Sequence, residues 1–348
     1  MGLKILHSAD WHLDSPMTGF SQAQRAYLQK AQREIPQRVV SLCRRENCDL
    51  VLLAGDLFDG MPGRDWVDLL KAALADCGVP VFISPGNHDY CAPGSPWLEE
   101  IWPENVHIFT CGMESIGLPD LNCRIYGGGY TSMDCEPLLE GFRAEGKERY
   151  QIGLLHGDPV QIHSPYCPIT AAQVRDSGLD YLALGHIHKA GAFRMGKTLC
   201  GWPGSPMGRG YDETGEKGLY LVEIGDTAQI RQVLLNVPRF YDLSVNTDEA
   251  SPEDLLPAMG SMDFYRLTLT GSADVNRDML ERFPNLVLRD QREEKRDIWS
   301  SAEEDTLEGT YFRILREAMT DAEEETKQQI RLAAELSRKI LEGREVVL

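Results

Sequence analysis

The sequence predicts an α/β fold with a small α+β unit and C-terminal helices. Two observations carry that reading. Apolar strand-like runs alternate with helical patterns through the first two thirds of the chain. Several of those runs end in a cluster of Asp, Asn, Gly and His residues, where open α/β sheets place their ligands. The chain has 348 residues, enough for one large domain and a smaller one. We assign residues 1–237 to the large domain, 238–300 to the small α+β unit and 301–348 to a helical segment.

Composition narrows the class. A hydrophobic fraction of 42% and a charged fraction of 26% are those of an ordinary globular protein. No apolar run is long enough to predict a membrane span. The first residues, Met1-Gly2-Leu3-Lys4-Ile5-Leu6-His7, read as a strand rather than a signal peptide. Nine scattered cysteines form no Cys-x-x-Cys pair, so reduced thiols and a cytoplasmic setting are expected, and a zinc–thiolate site is not. The net charge of -19 means that nucleic acid would not be held by the average field. Binding would need a local basic strip or metal ions.

Leu3 to His7 is a short strand running into Asp10-Trp11-His12, whose alternate side chains can meet one ion. Ser21 to Arg45 reads as helical, with Tyr27, Ile35, Val39, Val40 and Leu42 inward. Asp49 to Ala54 is a buried strand ending in Gly55-Asp56-Leu57-Phe58-Asp59. Trp66 to Asp76 is a helix, and Val79 to Ile83 is a strand delivering Gly86-Asn87-His88-Asp89. In that cluster Asn87 offers a neutral oxygen ligand, His88 can carry a proton, and Asp89 can hold a loop or a ring in place. Val106 to Phe109 and Arg124 to Tyr126 are short strands; Gly127-Gly128-Gly129 reads as a flexible turn and Pro137 to Glu145 as a helix. Gln151 to Leu155 ends in His156-Gly157-Asp158, and Tyr181 to Leu184 ends in Gly185-His186-Ile187-His188. Strands around 192–194 and 198–200 follow, then a hairpin of Lys217 to Ile224 and Gln229 to Val237 about Gly225-Asp226.

Beyond Pro238 the pattern is strand 241–245, helix 252–259, strand 265–270, short helix 274–281 and strand 285–289. Residues 302–341 read as two helical stretches split near Thr320-Asp321, with Glu323, Glu324 and Glu325 favourable at a helix N-terminus. Tyr311, Leu315 and Met319 form one apolar stripe, and Ile330, Ala333, Ala334, Ser337 and Leu341 another. These stripes either pack on the parent domain or bind a partner.

The candidate ligands are Asp10, His12, Asp56, Asn87, His156, His186 and His188, with His88 outside the ligand set. A mixed nitrogen and oxygen set suits Mn²⁺, Fe²⁺ or Zn²⁺, whereas all-oxygen sets suit Mg²⁺ or Ca²⁺. Seven ligands are too many for one ion, so two ions with a bridging carboxylate are expected. Ions roughly 3.5–4 Å apart clamp a phosphoryl group and activate water, which points to phosphate-ester hydrolysis.

In order, Asp10-x-His12, Gly55-Asp56, Gly86-Asn87-His88-Asp89, His156-Gly157 and Gly185-His186-x-His188 resemble the five motifs of the calcineurin-like metallophosphoesterases, across residues 3–237. Leu6 to Pro16, Ala183 to His188, Gly201 to Pro206 and Gly215 to Gly218 are similar to the SbcD/YhaO-like DNA repair exonuclease branch. The resemblance implies a two-sheet sandwich flanked by helices, with metals at its loop edge. It implies that Asp10, His12, Asp56 and His188 hold one ion and Asp56, Asn87, His156 and His186 the other. It implies that His88 protonates the leaving oxygen or steadies the transition state, with Asp59 orienting it. It further implies Mn²⁺ as the metal, DNA as the substrate, an SMC-like ATPase of SbcC or YhaN type as partner, a possible homodimer, and a capping unit that steers DNA. Lys189, Arg194, Lys197 and Arg209 are the local candidates for a basic strip. Two other readings stay open: a phosphoesterase acting on a small nucleotide or phosphoprotein, and a non-catalytic regulatory subunit of an ATPase complex.

Overall fold

Strand direction is what brings the polar clusters together. A computed structural model describes residues 2–292, 298–320 and 322–341. Residues 293–297 of the expected capping segment, Asp321 at the expected helix split, and 342–348 lie outside the described residues. The first half of the large domain contains β1 (Leu3–Ser8), α1 (Gln22–Arg33), α2 (Ile35–Glu46), β2 (Leu50–Leu53), α3 (Arg64–Ala75), β3 (Val81–Ile83), α4 (Pro96–Glu99), β4 (Val106–Ile108) and β5 (Glu114–Leu118). Next come β6 (Cys123–Gly128), β7 (Tyr150–His156), α5 (Ala171–Asp176), β8 (Tyr181–Gly185), β9 (Gly191–Met195), β10 (Thr198–Trp202), β11 (Gly218–Ile224) and β12 (Ala228–Leu234).

One sheet has the order β12-β11-β1-β2-β3-β4, with β1 to β4 parallel. The other runs β5-β6-β7-β8-β10-β9, with β6, β7, β8 and β10 parallel and antiparallel strands at both edges. Leu3, Ile5, Leu50, Leu52 and Phe82 of the first sheet pack against Ile125, Ile152, Leu154 and Tyr181 of the second, forming the layer between them. Alternation sends Leu6, Val51 and Leu53 to the opposite face, where α1, α2 and α3 cover them. The outer face of the second sheet is covered by α5 and by the segment around Leu139. The expected two-sheet sandwich flanked by helices is present.

Several local expectations are corrected. The helical stretch from Ser21 is two helices that meet at Glu34, whose amide donates back to Ala31 and Gln32. Pro36 sits in the first turn of the second helix, where its missing N–H leaves no helical bond broken, so the second helix starts afresh there. Residues 137–145 are turns rather than a helix. Gly141 takes a positive φ of 68, and the Ala144 amide donates outward to Ser177 at 2.8 Å. The strand β5 lacks an apolar alternation because it is a half-exposed edge.

The glycine triplet is also not a flexible turn. Gly127 and Gly128 are inside β6, in register with Leu154 and Leu155. A Cβ on Gly127 would run into the Phe109 ring, and one on Gly129 into the Phe109 carbonyl. These glycines allow close packing between layers rather than bending.

The remaining strands are β13 (Phe240–Asn246), β14 (Phe264–Thr270) and β15 (Leu286–Asp290), a three-stranded sheet, with α6 (Arg277–Glu281), α7 (Leu307–Ala318) and α8 (Glu324–Leu341). The segment expected as a helix from Pro252 is a 3-10 stretch over Pro252–Ala258. The described chain divides into two compact units. The larger holds Met1–Leu243, Pro257–Leu267 and Met279–Leu288; the smaller holds Ser244–Leu256, Thr268–Asp278 and Arg289–Leu348. Within the smaller unit, Phe312 of α7 and Ala334 of α8 are fully buried with Ala302, and Leu315 packs beside them. The buried position is therefore Phe312 rather than Tyr311, which is 40% exposed.

Gly127→Ala should destabilise the protein by about 1–3 kcal/mol, because Phe109 is fully buried and has nowhere to go. A urea melt showing an unchanged midpoint would contradict this account of the triplet.

Candidate metal centre

The loops after β1 and β2 continue as a paired ladder beyond the strands. Asp10 N donates to Gly55 O at 3.0 Å, His12 N to Asp56 O at 2.9 Å and Leu13 N to Leu57 O at 2.8 Å. The ladder brings Asp10, His12 and Asp56 together beneath the ends of β7 and β8. His156 ends β7 in register with Gly185. The backbone is bent to do this: Asp10, His12, Asp56 and His186 all take positive φ, at 55, 45, 50 and 93. Each such residue costs of order 1–3 kcal/mol, and such strain gathers where function requires a geometry.

All seven expected ligands converge. Asp10, His12, Asp56, Asn87 and His156 are buried. Asp56 Oδ2 lies 3.4 Å from His156 Nε2 and 3.8 Å from His12 Nε2, so it stands between two donor groups. On one side Asp10, His12 and His188 bring ligand atoms within 4.8 Å of one another. On the other, Asn87 Oδ1 is 3.0 Å from His156 Nε2 and 3.3 Å from His186 Nδ1. Asp10, Asp56 and His156 form a further close group.

Three features fit cations to this donor set. Asp10 Oδ2 is buried without a hydrogen-bond partner, a costly state for a carboxylate oxygen unless an ion meets it. His156 Nδ1 lies 2.8 Å from the Ala54 carbonyl, which requires that nitrogen to carry the proton and leaves Nε2 as a lone pair facing the cluster. The Nε2 atoms of His12 and His188 face each other at 3.1 Å, while each Nδ1 is turned to a carboxylate, Asp59 at 3.2 Å and Glu213 at 2.7 Å. Two lone pairs pointing at one spot repel unless a cation or proton lies there.

Electrostatics keep two of the rings neutral and, against burial, raise a third, His188, through its Glu213 partner. Burial, then the neighbouring His156, pushes the His186 imidazole down to about 4, so the ring is neutral as a ligand must be. Burial also lowers His12 against the pull of Asp59. Burial alone would raise Asp56, but His156, His12 and His88 outweigh it and keep the carboxyl ionised. His7, on the same strand, is no part of the cluster. Its ring nitrogens lie 2.7 Å from the Tyr181 hydroxyl and 3.1 Å from the Leu184 carbonyl, and burial pushes it down to about 3.

His88 differs from the buried rings: its side chain is 45% exposed, against 1% for His12. Its Nδ1 is 3.3 Å from Asp59 Oδ1, and its amide donates to Asp56 Oδ1 at 2.9 Å. It also falls within ligand distance of His12 and Asp56. The Asp59 hydrogen bond holds its pKa above the ordinary imidazole value despite partial burial. Hydrogen bonds from His12 and His88 hold Asp59 well below the usual carboxylate range. Asp89 braces the loop as expected, accepting from the amides of Gly86, Asp56, Leu57 and Phe58. Gly86 must be glycine here, since a Cβ would meet both Asp56 and the His156 ring.

With this geometry in view, the comparison with known sequences has a clear result. Residues 3–190 match the model of the calcineurin-like phosphoesterases. The chain belongs to that family. It is a metal-dependent phosphoester hydrolase, and its clustered donors suit a dinuclear metal site. An uncharacterized metallophosphoesterase of Bacillus subtilis, YhaO, is 31% identical over 88% of this chain and 82% of the relative. The SbcD component of the SbcCD nuclease is 21% identical in Staphylococcus epidermidis, over 82% of this chain and 84% of that one. The Bacillus subtilis SbcD is 22% identical over 67% and 70%.

Sequence reasoning missed several residues of this phosphoesterase site. Glu213 is buried behind His188. Asp158 Oδ2 lies 3.8 Å from His186 Nε2, and Tyr166 packs on the His186 ring at 4.9 Å. Nothing in a charged, glycine-rich loop distinguishes Glu213 from Asp212 or Glu216; only the fold selects it. Three of the four candidates for the basic strip are already engaged with other groups. Arg194 is spent on the carbonyls of Lys197 and Ala228, and Lys197 pairs with Asp180. Lys189 is next to His188 in the chain, and Arg209 is held by Glu213 and Asp59.

Metal-stripped protein should take up two equivalents of a divalent cation such as Mn²⁺, measured by elemental analysis after desalting. Asp56→Ala, which removes the carboxylate between the two donor groups, should retain less than one. Retention of two would remove Asp56 from the bridging position.

Proposed function

We propose that this chain is an Mn²⁺-dependent DNA exonuclease or endonuclease of the SbcD/YhaO-like kind, acting in DNA repair with an SMC-like ATPase of SbcC or YhaN type. The observation that carries the reading is the lengthwise likeness to a nuclease component, combined with two cavities that share Asp59, the partner of His88. One, of about 570 Å³, is lined by Pro16, Phe20, Asp59, Arg209, Tyr211 and Arg266. The other, of about 380 Å³, is lined by Met61, His88, Tyr90, Pro96 and Met133. Asp59 lines both. A phosphodiester has a substituent on each side of its phosphorus, and two cavities meeting at Asp59 suit such a substrate better than a phosphomonoester.

In this reading Asp10, His12, Asp56 and His188 hold one cation, and Asp56, Asn87, His156 and His186 the other. Bound divalent cations there supply Lewis acidity to the phosphoryl oxygens and lower the pKa of water. The histidine-rich donor set favours Mn²⁺, with Fe²⁺ or Zn²⁺ as alternatives, over Mg²⁺. Asp59 fixes His88 through Nδ1, leaving Nε2 free. The imidazolium then gives its proton to the leaving ester oxygen as the P–O bond breaks. Nine unpaired thiols suit a reducing, cytoplasmic compartment. Among the described residues no helix is long and apolar enough to cross a membrane.

The paired state of Arg209 and the acidic net charge favour the second reading, a phosphoesterase for small substrates. End-labelled linear duplex, single-stranded DNA and bis-p-nitrophenyl phosphate separate the two. Mn²⁺-dependent cleavage of DNA is expected. Turnover of the small ester alone, with the ATPase partner present, would reject the nuclease. His88→Ala should keep both ions and lose about 10²–10⁴-fold in turnover; loss of the ions would instead make His88 a ligand.

A further inference from the structure

We infer that Glu213, clamped by Arg209, is the positioning residue for His188, and so sets the affinity of one of the two cations. The inference rests on the dinuclear centre and not on the DNA substrate. Glu213 is 8% exposed, and both of its carboxylate oxygens are engaged. Oε1 lies 2.7 Å from His188 Nδ1 and accepts from Arg209 Nε at 3.2 Å and Nη2 at 3.0 Å. Oε2 accepts from the Arg209 amide at 3.0 Å.

An ionised carboxylate can only accept. His188 Nδ1 must therefore carry a proton, so in the neutral ring Nε2 is the lone pair, facing His12 Nε2. Tautomer and ring direction are fixed by one contact. Metal-binding histidines depend on such partners for both. Lys217 secures the other side of the same residue, its Nζ reaching the His188 carbonyl at 3.4 Å and Ser205 Oγ at 3.3 Å.

Arg209 extends the arrangement across the site. Its Nη1 lies 3.4 Å from Asp59 Oδ1, the oxygen that meets His12 Nδ1 at 3.2 Å and His88 Nδ1 at 3.3 Å. One guanidinium thus spans the two carboxylates that orient His188, His12 and His88. Its planar fork is suited to that bridging and a lysine is not. With both carboxylates against it, Arg209 is a brace rather than a contact for phosphate.

The test is calorimetric titration of Mn²⁺ into metal-stripped protein, with the melting temperature of the metal-free form alongside. Glu213→Ala should weaken one of the two ions by about 10–100-fold and leave the other near wild type. Glu213→Gln keeps an amide oxygen able to accept from His188 Nδ1, so it should recover part of that loss. It also covers the case in which Glu213→Ala, with Arg209 left unpaired, fails to fold. Arg209→Lys should weaken the same ion. Two ions bound by Glu213→Ala at wild-type affinity would overturn the inference. So would equal loss of both ions in Glu213→Ala and Glu213→Gln together with a lowered metal-free melting temperature, which would make Glu213 a packing residue. DNA cleavage does not enter the readout, so a failed nuclease reading leaves this test intact.

Discussion

Two carboxylates and four imidazoles share one small, largely buried volume, and the rest of the structure follows from that. Such a set is unstable by itself: Asp10 Oδ2 has no partner, and the lone pairs of His12 and His188 point at one another. Cations resolve both problems at once, which is why the donors can be buried. The surroundings hold the donors close enough for ions while keeping them from relaxing apart. The carboxylates behind the rings fix tautomers, and the four amides on Asp89 fix the loop that carries Asn87 and His88.

The cost is visible in the backbone. Four of the candidate site residues have positive φ, a conformation that side-chain-bearing residues avoid. The two-sheet sandwich supplies what offsets it. Its buried layer joins residues of both sheets, and the loops emerge from the ends of parallel strands that cannot slide without breaking their registers. Glycine at 86 lets the Asn87 loop lie directly against Asp56 and His156.

Exposure divides the site by role. The expected donors are buried or partly buried, while His88 is exposed and lines a cavity. In the proposed reaction His88 gives its proton to the leaving group, and its exposure suits that role. The same division explains the arginine. Arg209 is close to His188 and His88, but its charge is committed to Glu213 and Asp59, the carboxylates behind those rings.

Much of this was legible in the sequence. The polar clusters after Ser8, Leu53, Ile83, Leu155 and Leu184 predicted which residues meet, because a strand end is a defined place and the residue types are those of a metal site. Local features that depend on neighbours were not legible. The triplet at 127–129 looks like a turn until Phe109 is placed against it, and the stretch 137–145 looks helical until Ser177 takes its amide. The break at Glu34 needed weighing Pro36 against a continuous apolar pattern. By itself the sequence determined which residues meet at the strand ends and their order along the chain, since those are properties of residue type and strand position. Only the tertiary structure decided which acid stands behind His188, because Asp212, Glu213 and Glu216 are chemically alike and a hydrogen bond of 2.7 Å selects one of them.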